Sequence, residues 1–206
     1  MRPWYRRPDN AVKRAFDLLA AGGGLLLASP VLLSLALLIK LEDGGPIFYI
    51  HPRIGKDGKA FPFFKFRTMA VGSDKGGFEI NAGDSRITRI GNFLRRWSID
   101  EVPQLLNVLR GEMSLIGPRP TLGYQVDAYT QRQRGRLAVR PGLTGLAQVS
   151  GRNSLTWPER IELDLKYIEE YSLALDWQIL LRTFGTVVNP DGIYGHGWEQ
   201  RSKPGE

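Results

Sequence analysis

Residues 13–40 read KRAFDLLAAGGGLLLASPVLLSLALLIK, and this stretch decides where the rest of the chain can lie. From Leu18 to Ile39 it contains 22 residues without a charged side chain. A helix of that length, at about 1.5 Å rise per residue, could cross the roughly 30 Å hydrocarbon core of a bilayer. The basic residues around its start are Arg2, Arg6, Arg7, Lys13 and Arg14. Because positive flanks stay on the cytoplasmic side, we expect a cytoplasmic basic segment over 1–12 and a membrane helix over 13–40.

Two features disturb this helix in its own sequence. Gly22-Gly23-Gly24 weakens its first half, and Pro30, which follows Ser29, removes a backbone hydrogen bond near the middle. A kink is therefore expected at Ser29-Pro30. From the residues alone two interpretations stay open: a kinked helix that crosses the bilayer, and a re-entrant helix that returns to the side it entered. Arg14 and Asp17 lie three residues apart and are placed to form an ion pair near the interface.

The composition limits the chemistry. There is no Cys among the 206 residues, which excludes disulfides, zinc thiolate sites and a thiol nucleophile. The two His, His51 and His196, are too few for a multi-histidine metal site, whereas a hard-metal site of oxygen ligands stays open. The net charge of +7 attracts nucleic acid, anionic lipid or phosphorylated substrates. No Walker loop, zinc finger or RNP motif is present, so a nucleic-acid partner rests on charge alone and is not expected.

The chain after the membrane helix predicts an α+β, helix-dominated domain over 41–188. A small β-hairpin is expected over 46–68, because Asp57-Gly58 is a strong two-residue turn signal. Residues 70–85 are polar and rich in Gly, which indicates a loop. Residues 189–206 have the composition of a flexible tail.

Four helices are expected in this domain. An apolar pattern at helical spacing begins at Ile87, and a second helix runs from about Asp100 to Leu109. Thr156 and Glu159 have the spacing of a capping box that opens a third helix. Asp176 is placed to cap the last helix.

Residues 98–103, SIDEVP, contain the strongest candidates for catalysis. Asp100 and Glu101 place adjacent carboxylates at the start of a helix. A structural explanation exists, because acidic residues there complement the helix dipole and Ser98 with Glu101 fits a capping box. A catalytic explanation also exists, because one carboxylate could attack phosphorus while its neighbour holds Mg²⁺.

Arginines surround this pair in the sequence and favour the catalytic explanation. They are Arg86, Arg89, Arg95 and Arg96 before the pair and Arg119, Arg140 and Arg152 after it. Arg side chains bind phosphate bidentately, so we expect them to hold phosphate groups beside the two carboxylates. Their charge, with the helix dipole, would keep Asp100 and Glu101 ionised.

Several long runs, in one order, resemble the bacterial sugar transferases, which are monotopic polyprenyl-phosphate phosphoglycosyl transferases, in their small form. The runs are KRAFD at 13–17, Ser29-Pro30, PIFYIHPRIGKDGKAFPFFKFRTM at 46–69, RRWSIDEVPQLLNVLRGEMSLIGPRP at 95–120, VRPGLTGLAQVSGRN at 139–153 and ELDLKYIEEYSLALDWQILLRT at 162–183. The resemblance covers residues 11–188. It departs at Leu146 and Ser150, where many relatives carry Trp and Asn, and this bears on the nucleotide or sugar pocket rather than on the reacting groups.

The resemblance implies a re-entrant helix over 13–40, broken at Ser29-Pro30, with both ends cytoplasmic. The catalytic domain would rest on the cytoplasmic face of a bacterial inner membrane. The implied reaction moves a sugar-1-phosphate from a UDP-sugar to polyprenyl (undecaprenyl) phosphate, the first membrane step of glycan assembly. Asp100 would attack the β-phosphate, release UMP and form an aspartyl-phosphosugar intermediate.

The same resemblance assigns the other site residues. Glu101 is the implied Mg²⁺ ligand beside Asp100, and Arg95 and Arg119 lie near the phosphates. Lys65 and Arg67 belong to the family's basic strand. The full predicted set for substrate and phosphate binding is Arg95, Arg119, Lys65, Arg67, Arg86, Arg140 and Arg152.

Two other functions compete with this one. The first is a non-catalytic membrane scaffold of a glycan assembly complex, which would have no need of both Asp100 and Glu101. The second is a basic nucleic-acid binder, which would have no need of a membrane segment. The partners that we expect are a UDP-sugar, polyprenyl phosphate and membrane lipids, and a homodimer is compatible with the sequence. The identity of the sugar stays open.

Overall fold

The computed structural model describes residues 8–73 and 84–188. Helix α1 spans Ala11–Asp43, begins where the Asn10 side chain accepts a hydrogen bond from the Lys13 N–H, and ends at Gly44 in the left-handed region. Within the described residues it is the one helix long and apolar enough to cross a bilayer. The long apolar helix that the sequence predicts over 13–40 is therefore present, two residues longer at its N-terminal end and three residues longer at its C-terminal end.

The expected interruption at Ser29-Pro30 does not end helix α1. Pro30 has no N–H to donate to the Leu26 carbonyl, four residues earlier. The Ser29 hydroxyl donates to that same carbonyl oxygen at 2.7 Å, so the group that Pro30 would leave unpaired is satisfied. The helix thus continues through both residues.

The β-hairpin prediction is confirmed. Strands β1 (Phe48–Ile54) and β2 (Ala60–Phe66) pair antiparallel, with Ile50 opposite Phe64. Asp57 (φ 58°) and Gly58 (φ 73°) both lie in the left-handed region, which an Asp-Gly turn permits. Phe61, Phe63 and Phe66 point from β2 into the core.

Short helices make up most of the remaining domain, which confirms the helix-dominated α+β class. In chain order the α-helices are α2 (Arg89–Arg96), α3 (Leu105–Arg110), α4 (Gly123–Asp127), α5 (Leu146–Ser150), α6 (Trp157–Glu169) and α7 (Leu173–Val188). Short 3₁₀ helices also occur, and the one called the 3₁₀ helix below spans Ile99–Gln104, between α2 and α3. Strands β3 (Ser114–Ile116) and β4 (Gly142–Thr144) form a parallel pair that the sequence analysis missed. Strands of three residues are too short for a periodicity signal.

Two helix predictions need correction and one is confirmed. The single helix expected from Asp100 to Leu109 is divided into the 3₁₀ helix and α3. Asp176 does not cap the last helix, because α7 begins at Leu173 and the Ser172 hydroxyl accepts from the Leu175 N–H at 3.1 Å. The capping box of Thr156 and Glu159 opens α6 as expected.

Helix α1 packs against the domain near both of its ends. Ala21 lies in one apolar cluster with Phe61, Phe63, Val108 and Met113. Further along, Leu35 and Ile39 lie in a second cluster with Phe66 and Leu94. The opposite side of the helix is exposed and apolar, and Leu27 is 83% exposed.

Polar contacts add to this attachment. Lys13 forms a buried ion pair with Asp176 of α7 at 2.8 Å. Asp17 accepts from the Leu115 N–H at 3.1 Å, and Arg14 donates to the Val108 carbonyl at 2.8 Å. The expected ion pair between Arg14 and Asp17 is therefore wrong, because each side chain binds the domain instead. The predicted flexible tail over 189–206, most of the loop over 70–85 and most of the basic segment over 1–12 lie outside the described residues.

Candidate active site

The turn that carries the two carboxylates has an unusual backbone. Ser98 stands between α2 and the 3₁₀ helix with φ 56° and ψ 21°, a left-handed conformation that costs a non-glycine residue of order 1 kcal/mol. Its side chain makes no capping hydrogen bond, so the capping box expected between Ser98 and Glu101 is absent. Of the two structural explanations for the acidic pair, the capping box is absent and the helix dipole remains. The Glu101 side chain is therefore available for another partner.

Asp100 is buried beside a lysine. Its side chain is 7% exposed, and its Oδ2 lies 3.8 Å from the Nζ of Lys65, which lies on β2. Burial raises the pKa of Asp100 to about 6, although the charges of Lys65 and Arg95 oppose the rise. Arg95, in the last turn of α2, is held by a hydrogen bond from its Nε to the Thr68 hydroxyl at 2.7 Å.

Glu101 is held by Arg119 on both oxygens. The Arg119 Nη1 donates to Glu101 Oε2 at 3.1 Å, and Nη2 donates to Oε1. Burial alone would raise the pKa of Glu101, but the charges of Arg119, Lys65 and Arg53 outweigh it and hold that pKa at about 2. Two neighbouring carboxyl groups thus have pKa values shifted in opposite directions, which is typical of residues with different catalytic roles.

Arg119 is itself positioned by a buried ion pair. The Arg136 Nη2 donates to the Arg119 carbonyl oxygen at 3.1 Å, and the same guanidinium pairs with Asp164 of α6. Both side chains of this pair are at most 3% exposed. The backbone that presents Arg119 to Glu101 is therefore fixed from behind.

The structure brings together most of the residues that the sequence proposed. Asp100, Glu101, Lys65, Arg95 and Arg119 form one group of interacting charges, which we call the charge cluster. Arg152 joins them, because its charge interacts with those of Glu101 and Arg119, and burial lowers its pKa.

Three other predicted phosphate ligands are engaged elsewhere. Arg67 pairs with Asp43 and donates to the Pro46 carbonyl at 2.6 Å, which joins β2 to the end of α1. Arg86 pairs with Asp84 at 2.7 Å. Arg140 forms an ion pair with Asp9 and a hydrogen bond to the Gly111 carbonyl at 2.9 Å. Their role in phosphate binding stays a prediction.

Arg53 is a site residue that the sequence analysis missed. It lies on β1 opposite Phe61, and its charge interacts with those of Arg119 and Glu101. The register of the hairpin could have identified Arg53 as a site residue. Since Tyr49 pairs with Lys65 and side chains alternate along a strand, residue 53 must share the face of Lys65.

The charge cluster suits a polyanionic substrate. Arg53, Lys65, Arg95, Arg119 and Arg152 stand against two carboxylates, so positive charge is in excess. No group of three or more His, Asp or Glu side chains is placed to hold a metal in residues 8–73 and 84–188. Mg²⁺ commonly binds through one or two carboxylates together with substrate phosphates, and Asp100 with Glu101 fits that donor set.

Comparison with known proteins gives one consistent family. The family model described as bacterial sugar transferase matches residues 8–190. The exopolysaccharide production protein ExoY of Rhizobium meliloti is 42% identical over 198 residues, covering 88% of each chain. The UDP-glucose:undecaprenyl-phosphate glucose-1-phosphate transferase of Caulobacter vibrioides is 43% identical, covering 94% of this chain and 77% of that one. The undecaprenyl-phosphate galactose phosphotransferase of Salmonella typhimurium is 38% identical over 92% of this chain, which spans only 43% of that protein.

Proposed function

The chain belongs to the bacterial sugar transferase family, and on this premise we propose that it transfers a sugar-1-phosphate from a UDP-sugar to polyprenyl phosphate. The relatives named for undecaprenyl-phosphate transfer support this reaction class. The observation that carries the proposal is the charge cluster, in which a buried Asp100 stands next to Glu101, whose pKa is lowered, among five cationic side chains. A diphosphate-linked donor is the kind of ligand that such a charge distribution binds.

Asp100 is the nucleophile in the proposed mechanism. Its carboxylate oxygen attacks the β-phosphorus of the UDP-sugar, and the bond from that phosphorus to the bridging oxygen breaks, so UMP leaves with the electron pair. An aspartyl-phosphosugar remains. A phosphate oxygen of the polyprenyl phosphate then attacks the same phosphorus, which releases Asp100 and gives a lipid diphosphate sugar. One site thus serves two anionic substrates in turn.

The neighbouring residues position charge for this reaction. Arg119 and Arg95 stabilise phosphate oxygens, and Lys65 favours the ionised form of Asp100. Glu101, with Asp100, would hold Mg²⁺, which neutralises phosphate charge when it is bound. Arg119 donates one hydrogen bond to each oxygen of Glu101, so each oxygen keeps a second lone pair that a metal ion could use.

The attachment of α1 to the domain supports a re-entrant helix. Gly24 lies beside Leu105, and Leu32 already packs in the cluster of Phe66 and Leu94. Only about 12 Å of helix lies between Gly24 and Leu32, whereas a crossing needs roughly 30 Å free of a domain that stays on one side. We therefore place both ends of α1 on the cytoplasmic face of the inner membrane, with the exposed leucines in lipid.

The test is release of UMP from a panel of UDP-sugars, with Mg²⁺ and undecaprenyl phosphate, by the full chain in nanodiscs. We expect one donor to give UMP, and Asp100→Asn to abolish turnover and any covalent phosphosugar adduct. Glu162→Gln, which neutralises an exposed carboxylate paired with Arg132, is the matched control and should keep full activity. No UMP from any donor with folded protein would instead favour a scaffold, and near-normal turnover by Asp100→Asn would contradict the covalent mechanism.

A further inference from the structure

The Arg53 side chain packs on an aromatic ring and leaves its Nε–H unpaired among the described residues. Its guanidinium lies over the Phe63 ring, with 5.4 Å from Cζ to the ring centroid. Its Nε is buried and has no hydrogen-bond partner among the described residues. A ring face supports the cation but does not satisfy the N–H donors of a guanidinium. The side chain therefore keeps an unused N–H donor beside the charges of Glu101 and Arg119.

The neighbouring charges leave this donor capacity unused. Glu101 is the carboxylate whose charge favours ionised Arg53, but the hydrogen bonds to its two oxygens come from Arg119. Burial and then the charge of Arg119 lower the pKa of Arg53 to about 10. Two guanidinium groups thus share one carboxylate, and a desolvated cation in that position is unfavourable until an anion joins it.

We propose that Arg53 is a phosphate-binding residue beside Glu101 and Arg119. Its guanidinium, packed on the Phe63 ring, would donate hydrogen bonds to phosphoryl oxygens of a substrate. The inference rests on the proposed function in so far as those oxygens belong to a UDP-sugar or to polyprenyl phosphate. The shared chemistry is a phosphate group beside Arg119. An arginine fork supplies two parallel donors to such a group, which lysine does not.

The competing explanation is that Arg53 only packs on the hairpin. The chain offers a matched control for it, because Arg110 lies over the Phe64 ring of the same hairpin at 4.7 Å and is exposed. Loss of Arg110 removes a cation stacked on β2 but leaves every cation near Asp100 and Glu101 in place. A packing role predicts similar effects at both positions, and a phosphate-binding role predicts an effect at Arg53 alone.

The experiment titrates inorganic pyrophosphate into the full chain in nanodiscs by calorimetry, for wild type, Arg53→Met, Arg53→Lys and Arg110→Met. We expect Arg53→Met to weaken binding about tenfold or more, as for loss of charged hydrogen bonds, with Arg53→Lys intermediate and Arg110→Met unchanged. If Arg53→Met does not fold, the comparison of Arg53→Lys with wild type decides. Pyrophosphate binding that is absent in wild type, or equal in all folded variants, would overturn the inference.

Steady-state kinetics of UMP release then identify the phosphate. A higher KM for the UDP-sugar in Arg53→Lys assigns the contact to the donor, and a higher KM for undecaprenyl phosphate assigns it to the acceptor. A KM and kcat equal to those of wild type for both substrates would overturn the inference. If wild type binds pyrophosphate through Arg53 but releases UMP from no donor, the phosphate site stands and the proposed function fails.

Discussion

Asp100 and Glu101 are adjacent in the sequence, yet their carboxyl groups face different surroundings. The Oδ2 of the buried Asp100 lies 3.8 Å from the Lys65 Nζ, whereas both oxygens of Glu101 accept hydrogen bonds from Arg119. The pKa of Asp100 is raised to about 6 and that of Glu101 is lowered to about 2. An attacking carboxylate must be ionised, so a nucleophilic Asp100 makes turnover sensitive to pH in a way that Glu101 does not.

Turnover should fall as pH falls through about 6, because activity is present above the pKa of Asp100 and lost below it. Lys65 lowers that pKa, so Lys65→Met should move the acid limb of kcat/KM to higher pH. The charge of Glu101 raises the same pKa, so Glu101→Gln should move the limb to lower pH while it reduces the rate and the Mg²⁺ dependence. The measurement is UMP release between about pH 4.5 and 8.5, a range that includes the pKa of Asp100.

Lys59→Met provides the control for this pair of shifts, since Lys59 is exposed beside the hairpin turn. Substrate phosphates titrate in the same pH range, but they do so equally for every variant. Movement of the limb in the same direction for Lys65→Met and Glu101→Gln would contradict the assignment of that limb to Asp100.

At the scale of elements, helix α1 shows how a local compensation alters a sequence prediction. Pro30 predicts a break, and the Ser29 hydroxyl supplies the Leu26 carbonyl with the donor that Pro30 lacks, at 2.7 Å. In lipid an unpaired carbonyl costs more than in water, so this hydrogen bond matters most if the segment is immersed. Ser29 thus supplies the hydrogen bond that Pro30 removes, and the helix stays continuous through both residues.

Ser29→Ala should therefore destabilise the protein by about 1 kcal/mol, since it leaves the Leu26 carbonyl unpaired. Ser29→Ala combined with Pro30→Ala restores an ordinary backbone donor and should recover most of the loss. Ser34→Ala is the control, because the Ser34 hydroxyl only adds a second hydrogen bond, at 2.9 Å, to the Pro30 carbonyl. The measurement is the thermal midpoint in nanodiscs of fixed lipid. Equal losses for Ser29→Ala and Ser34→Ala would refute this role of Ser29.

The direction of α1 can be tested by chemical labelling, because the chain contains no Cys. Val12→Cys and Leu41→Cys place single thiols at exposed positions near the two ends, and Leu27→Cys places one at the exposed middle. A re-entrant helix predicts that an impermeant maleimide labels positions 12 and 41 only from the cytoplasmic side, in inverted vesicles, and position 27 from neither side. Labelling of one end in intact cells would show that the helix crosses the membrane.

Across the whole molecule, sequence reasoning succeeded where the signal is local. Asp57-Gly58 predicts the hairpin, Thr156 with Glu159 predicts the start of α6, and the apolar run predicts α1. It did not identify ion-pair partners that are distant in the chain. Arg67 and Arg140 bind Asp43 and Asp9, and no spacing rule connects those residues. The left-handed Ser98 likewise depends on its tertiary surroundings, and it is what separates α2 from the 3₁₀ helix.

The same distant pairing governs how α1 is joined to the domain. Lys13 and Asp176 are 163 residues apart, and Tyr167 also donates to Asp176 at 2.8 Å. Burial raises the pKa of Asp176, and the Lys13 ammonium opposes that rise. Loss of Lys13 would leave a buried carboxylate without its counter-charge, at the contact that holds the start of α1 against α7.

Lys13→Met should therefore lower the free energy of unfolding by about 3 kcal/mol at pH 8, as expected when one partner of a buried pair is removed. A carboxyl group whose folded pKa is raised loses stability as pH rises through that pKa, so the defect should be smaller at pH 5 than at pH 8. Arg132→Met breaks the exposed pair with Glu162 and should cost about 0–1 kcal/mol at either pH. Denaturant unfolding in detergent at both pH values measures the difference. A Lys13→Met defect no larger than that of Arg132→Met, or one that grows on acidification, would mean that the ion pair does not join α1 to the domain.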